Sequence, residues 1–268
     1  MRILIATDGS RAAQAAIDLV AGRAWSTDAT VRLVAVDDAY GEGRAELEAH
    51  VEAAARQLRA AALEVETAIW AGRAASVLLA DARTWGADLV VVGCRGRGRV
   101  QSLVLGSVSA EIVERASASV LVVRRPRIDR VLVAVDGSPA SRAVAPFLCA
   151  TGALGPVPAL VVSVSRDAEP WPPSLDLIAA RAATRAAEQL GRCGITARRE
   201  LLVGEPAATI LRRASDEDVD LIAVGSRGLS RLRRLLIGSV ARNVTWSAAT
   251  NVLVVRARRP RVGREARR

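Results

Sequence analysis

Ile3-Leu4-Ile5-Ala6-Thr7-Asp8-Gly9-Ser10 returns 128 residues later as Val131-Leu132-Val133-Ala134-Val135-Asp136-Gly137-Ser138. In both stretches a short apolar run ends on Asp-Gly-Ser. Further along, Ala87-Asp88-Leu89-Val90-Val91-Val92-Gly93 returns as Val219-Asp220-Leu221-Ile222-Ala223-Val224-Gly225. Ser119-Val120-Leu121-Val122-Val123-Arg124 returns 132 residues on as Asn251-Val252-Leu253-Val254-Val255-Arg256. Repetition on this scale means one domain present twice. The copies are expected at residues 1–125 and 129–256, joined through Arg124-Arg125-Pro126-Arg127-Ile128. Four residues of drift between the offsets imply an insertion, expected in the loop around Trp171-Pro172-Pro173.

Within the first copy, short apolar runs at 2–6, 31–36, 64–70, 88–92 and 119–124 read as strands. Ala-rich amphipathic stretches at 11–24, 44–62, 74–85 and 107–116 read as helices. Strands that are apolar on both faces and alternate with helices predict an α/β fold, a parallel sheet covered on two sides. Two tandem doubly wound domains of five strands each follow, with ligands expected beyond the carboxyl ends of the strands. Ser138 before Pro139 is a helix start, an N-cap followed by proline at the first helical position. Val120–Val123 and Val252–Val255 would be aggregation-prone if left as open sheet edges. They are expected to cover one another, pairing the two copies as an internal pseudo-dimer.

Composition excludes more than it selects. The 268 residues are 51% hydrophobic, and the formal net charge is +10. Residues 1–128 contribute +1 and 129–255 contribute +3, while Arg256–Arg268 contribute +6. The body is therefore near neutral, and 257–268 reads as a basic, disordered tail. All 38 basic residues are arginine. Without lysine there is no Walker A loop and no lysine Schiff base. With His50 as the sole histidine, multi-histidine metal sites are excluded. Three scattered cysteines make no disulfide framework, which fits a reducing, cytoplasmic setting. Asp8 interrupts the apolar start too early for a secretion signal. The uncharged stretch 143–165 is divided by Pro146, Gly152, Gly155, Pro156 and Pro158, so it predicts helix, turn and strand and no membrane span.

After the fourth strand the first copy reads Gly93-Cys94-Arg95-Gly96, nine residues, then Gly106-Ser107. The second reads Gly225-Ser226-Arg227-Gly228, nine residues, then Gly238-Ser239. Glycines let backbone turn sharply and approach a ligand, and each Gly-Ser enters a helix whose first N–H groups are unpaired. That is a phosphate site made of backbone, to which the Ser107 and Ser239 hydroxyls add a donor. Asp8 and Asp136, at the end of the first strand, suit ribose hydroxyls better than phosphate.

With these motifs in both copies, the sequence resembles the universal stress protein family in its tandem form, over roughly residues 1–256. The resemblance implies strand order 3-2-1-4-5 in each domain and an ATP-binding stress-response role with little or no turnover. It implicates Asp8 in ribose contact, the Val36 backbone in adenine contact, and Gly93, Arg95, Gly96, Gly106, Ser107 and Val108 in holding phosphates. The second copy offers Asp136, Val164, Gly225, Arg227, Gly228, Gly238, Ser239 and Val240. Mg²⁺ would bridge phosphates without a dedicated protein ligand. Partners are then an adenine nucleotide and a protein of unidentified kind, with further homodimer assembly open. No residue presents itself as a catalytic base.

Three alternatives stay open: a slow ATPase, a sensor of AMP or cyclic AMP, and nucleic-acid association through the Arg-rich tail. Specific nucleic-acid recognition is not expected, because the body carries few aromatics and no reading motif. Cys94, at the position of Ser226, reads as a size match for the hydroxyl, with oxidation as a second reading. Cys149 and Cys193 read as small apolar fillers on helices. His50 reads as a solvated helix residue, and Trp70 and Trp85 as packing residues. Arg97, Arg99, Arg231, Arg233 and Arg234 of the nine-residue loops read as triphosphate partners or as solvated loop residues.

Overall fold

The computed structural model describes residues 1–37, 43–96, 105–152, 155, 157–165, 173–228 and 237–257. The first copy runs β1 (Arg2–Thr7), α1 (Arg11–Ala21), β2 (Thr30–Asp37), α2 (Arg44–Ala60), β3 (Glu64–Ala71), α3 (Ala74–Trp85), β4 (Leu89–Gly93), α4 (Ser107–Arg115) and β5 (Ser119–Val123). The second runs β6 (Val131–Ala134), α5 (Pro139–Arg142), α6 (Val144–Thr151), β7 (Ala159–Ser165), α7 (Pro173–Arg192), β8 (Ala197–Val203), α8 (Pro206–Asp216), β9 (Leu221–Gly225), α9 (Ser239–Ser247) and β10 (Asn251–Val255).

All pairings inside a copy are parallel, and each copy has the strand order 3-2-1-4-5. Ile3, Leu4 and Ile5 are all inaccessible to solvent, because alternate residues point to opposite helical layers. Ile3 and Ile5 pack with α1 and α2, whereas Leu4 packs with α3 and α4. The second copy repeats this with α6 and α7 on one face and α8 and α9 on the other.

The two five-stranded sheets are continuous. β5 and β10 pair antiparallel, with Val122 opposite Val252, Leu121 opposite Leu253 and Val120 opposite Val254, giving one ten-stranded sheet. The most apolar edges thus cover each other, as expected of strands that would otherwise template aggregation. The insertion differs from the expectation: α7 has 20 residues against 17 in α2, so three of the four extra residues lengthen a helix. Trp171 and Pro172 lie outside the described residues, as do the loop arginines and 258–268 of the tail.

Two arginines lock the central seam. Arg124, just past β5, donates from its guanidinium to the Thr245 and Thr250 carbonyls at 2.7 and 3.1 Å, at the C-terminus of α9. Arg256, just past β10, donates to the Val113 and Glu114 carbonyls at 2.6 and 3.4 Å, at the C-terminus of α4. Each copy therefore caps the last helix of the other, where unpaired carbonyls and the negative dipole end favour a cation. Burial lowers the pKa of Arg124, and burial together with the Arg227 guanidinium lowers that of Arg256 to about 10. Beside them, the fully buried Asn251 side chain accepts from the Arg124 and Arg125 amides and donates to the Arg125 and Arg127 carbonyls. It fixes the linker to β10.

Candidate functional site

β1 lies between β2 and β4, at the point where connections diverge to opposite faces of the sheet. Its chain continues into Asp8, whose Oδ1 accepts from the Ser10 amide at 2.9 Å. Ser10 is the N-cap of α1: its Oγ accepts from the Ala13 amide at 3.2 Å. The same hydroxyl donates to the Arg95 carbonyl at 3.4 Å, tying the loop after β4 to the start of α1. The second copy rebuilds each contact. Asp136 Oδ1 accepts from Ser138 at 2.9 Å, and Ser138 Oγ accepts from Ser141 at 3.2 Å and donates to Arg227 at 2.8 Å.

The glycines have three separate reasons. A Cβ on Gly93 would lie 2.5 Å from the Ala12 carbonyl carbon, and one on Gly225 would lie 2.5 Å from the Ser141 amide nitrogen. The first glycine of the motif therefore lets a helix cross the end of β4 or β9. A Cβ on Gly96 would lie 2.6 Å from Asp8 Oδ2, and one on Gly228 would lie 2.7 Å from Asp136 Oδ2. The second glycine thus leaves room for the carboxylate. The third, Gly106 or Gly238, brings the helix N-terminus against the loop: its amide donates to Cys94 at 2.8 Å or to Ser226 at 2.7 Å.

Gly106 and Gly238 are extended N-caps that place no side chain over the first amides of α4 and α9. Ser107 and Ser239 are exposed at that end, and Val108 and Val240 are half-buried behind them. Ser109 Oγ reaches back to the Gly93 carbonyl at 2.7 Å and fixes the helix to the strand end. The carboxylate and the second glycine thus meet beside a helix N-terminus whose donors and dipole favour an anion. Val36 and Val164 are half-buried one strand across, in register with Trp70 and Leu202. Of the arginines in the motifs, Arg95 is half-buried and Arg227 exposed. Among the described residues no cluster of three or more His, Cys, Asp or Glu side chains is placed to hold a metal ion.

The structure corrects three expectations. His50 is half-buried, and its Nε2 lies 3.0 Å from Thr7 Oγ1, so it ties α2 to the end of β1. Trp70 is 44% exposed and is not a packing residue, whereas Trp85 lies against the Arg2 guanidinium, 5.7 Å from the ring centroid. Cys149 and Cys193 are joined as a disulfide. His50, Arg124 and Arg256 had little to mark them, since what gives them meaning is a partner 43 to 143 residues away. The one signal was the arginine that closes both copies of the Val-Leu-Val-Val run.

A parallel sheet of this order, with glycine loops at its switch point, defines a doubly wound α/β protein. The chain belongs to the universal stress protein family: the family model described by that name matches residues 1–124 and again 127–256. A universal stress protein of Mycobacterium tuberculosis is 30% identical over 187 residues, 63% of this chain and 62% of that one. One of Mycolicibacterium smegmatis is 30% identical over 214 residues, covering 73% and 70%. The match to the first of these spans about three fifths of that relative's length. A universal stress protein from Archaeoglobus fulgidus has the same fold over 96% of this chain and 98% of that one, with a TM-score of 0.71 and 19% identity. No helix among the described residues is long and apolar enough to cross a membrane.

Proposed function

We propose that this universal stress protein binds an adenine nucleotide, ATP in the first instance, in one pocket per copy, and acts as a nucleotide-responsive stress regulator with little turnover. In this reading residues 1–125 and 129–256 are the two binding domains and 257–268 a basic tail. Asp8 and Asp136 hold ribose hydroxyls, and the Val36 and Val164 backbone meets adenine. The glycine loops hold phosphates through Gly93, Arg95, Gly96, Gly106, Ser107 and Val108, and through Gly225, Arg227, Gly228, Gly238, Ser239 and Val240. When bound, the triphosphate brings its own Mg²⁺ and supplies the charge to which the loops respond.

One observation carries this reading: in both copies a carboxylate fits against a glycine that has no room for a Cβ, next to a helix N-terminus without a side-chain cap. One oxygen of each carboxylate holds the turn through the Ser10 or Ser138 amide, and the other lies at the glycine loop. Competition between a fluorescent ATP analogue and ATP, ADP, AMP and cyclic AMP tests it. Displacement strongest with ATP supports the proposal. Preference for cyclic AMP would favour the sensor alternative, and no displacement by any of the four would sink both.

A further inference from the structure

We propose that Cys149 and Cys193 form a reversible dithiol–disulfide site, a redox-sensitive clasp between α6 and α7 of the second copy, beside a contact that the end of α6 makes with the first copy. The bridge joins the end of α6 to the residue after α7, with 5.7 Å between the Cα atoms and a sequence separation of 44. It lies at the amino ends of the strands, away from the glycine loops.

Four observations support it. First, the repeat supplies an internal control. At the corresponding positions the first copy has Ala21 and Ala61, and the chain turns alike after Ala61 and Cys193, since Ala62 and Gly194 both adopt positive φ (60° and 76°). The fold therefore forms without the bridge. Second, the reduced state is provided for: the Gln189 carbonyl lies 3.6 Å from Cys149 Sγ and 3.2 Å from Cys193 Sγ, so either thiol has an acceptor. Third, Cys193 is exposed while Cys149 is half-buried, which gives the pair an accessible attacking thiol and a resolving partner. Fourth, the bridged segment carries an interdomain contact. Two residues past Cys149, the Thr151 carbonyl accepts from the Ser26 amide at 3.0 Å. Gly152, at φ +67°, packs so closely that a Cβ would lie 3.2 Å from the Ala24 carbonyl oxygen.

The chemistry balances with a low-molecular-weight disulfide as oxidant. The Cys193 thiolate attacks one of its sulfurs, forming a mixed disulfide and releasing one thiolate. Cys149, having lost its proton to solvent, then attacks Cys193 Sγ and releases the second thiolate. The protein loses two electrons and two protons, and the small disulfide is reduced to two thiols.

The test is equilibration of the full chain in glutathione buffers of graded ratio, followed by alkylation, peptide mapping and amide hydrogen exchange. We expect a single reversible two-electron transition confined to the Cys149–Cys193 peptide pair. Reduction should lower Tm by about 5–10 °C, from release of a closed loop of this length, and should speed exchange of the Ser26 amide several-fold. The double variant Cys149→Ala/Cys193→Ala, which installs the residues of the first copy, should fold and fix Ser26 at the fast rate whatever the buffer. Three free thiols at every ratio, a bridge that does not re-form after reduction, or Ser26 exchange identical in the two states would overturn the proposal.

Discussion

At the end of β1, Asp8 is followed by an exposed Gly9, whereas Asp136 at the end of β6 is followed by a Gly137 buried beneath α7. A Cβ on Gly137 would lie 2.6 Å from the Ile178 Cγ2. In the first copy, α2 meets the strand end through a polar contact, Thr7 with His50; in the second, Val135 replaces Thr7 and the Ile178 side chain closes the gap. Cys94 likewise faces Ser226 across the repeat, half-buried in one copy and buried in the other. Duplication has kept the carboxylate, the glycines and the helix N-terminus, and has let the surroundings of β1 and β6 diverge. What is shared is backbone geometry, which the glycines fix; what differs is the side-chain cover.

The largest effects are expected at the first glycine of each motif. Gly93→Ala and Gly225→Ala each push a methyl group into the backbone of a crossing helix, and either should cost about 3 kcal/mol by overpacking. Urea midpoints read the loss, and a strong effect in one copy alone would show that the helix crossings are not equivalent. Next come the seam arginines. Arg124→Ala and Arg256→Ala expose helix-end carbonyls to a dry interface, at about 1–3 kcal/mol each. Arg256 has its folded pKa lowered to about 10, well below the ordinary guanidinium value, so between the two the unfolded chain binds more protons. Stability from this group therefore rises with pH above about 10 and is flat below it. The difference between wild type and Arg256→Ala, followed through that window, checks the sign.

Smaller effects are expected at the second glycines and at His50. Gly96→Ala and Gly228→Ala displace a carboxylate and leave the helix crossings intact. Each should weaken nucleotide binding at its own pocket about tenfold, equivalent to about 1.4 kcal/mol, with the other pocket unchanged. His50→Ala removes one half-buried hydrogen bond and should cost about 1 kcal/mol. It should alter affinity at the first pocket alone, since the second has no such bond to lose.

Much of this was legible in the sequence because the signals are local. Apolar runs of strand length, Ser-Pro before a helix and paired glycines each report on their own few residues, and the repeat supplied every reading twice. Ile3-Leu4-Ile5 could be placed between two helical layers because no residue in it is polar. The edge-to-edge pairing of Val120–Val123 with Val252–Val255 followed from what two bare apolar edges must do. What escaped is tertiary. Cys149 and Cys193 look like fillers until α6 and α7 are packed, and His50 looks solvated until α2 is laid against β1. Trp70 escapes because an apolar ring at a strand end suggests burial, whereas β3 is an edge strand of the sheet.

If divergence of the surroundings has spared nucleotide binding in both copies, calorimetric titration of ATP with Mg²⁺ into nucleotide-free protein at physiological salt will count two sites. The expected result is a stoichiometry of two, resolved into unequal affinities, with one site lost in Gly106→Trp and the other in Gly238→Trp while both variants stay folded. A stoichiometry of one would mean that a copy has become scaffold. No heat, with no displacement of a nucleotide probe, would contradict the nucleotide reading itself.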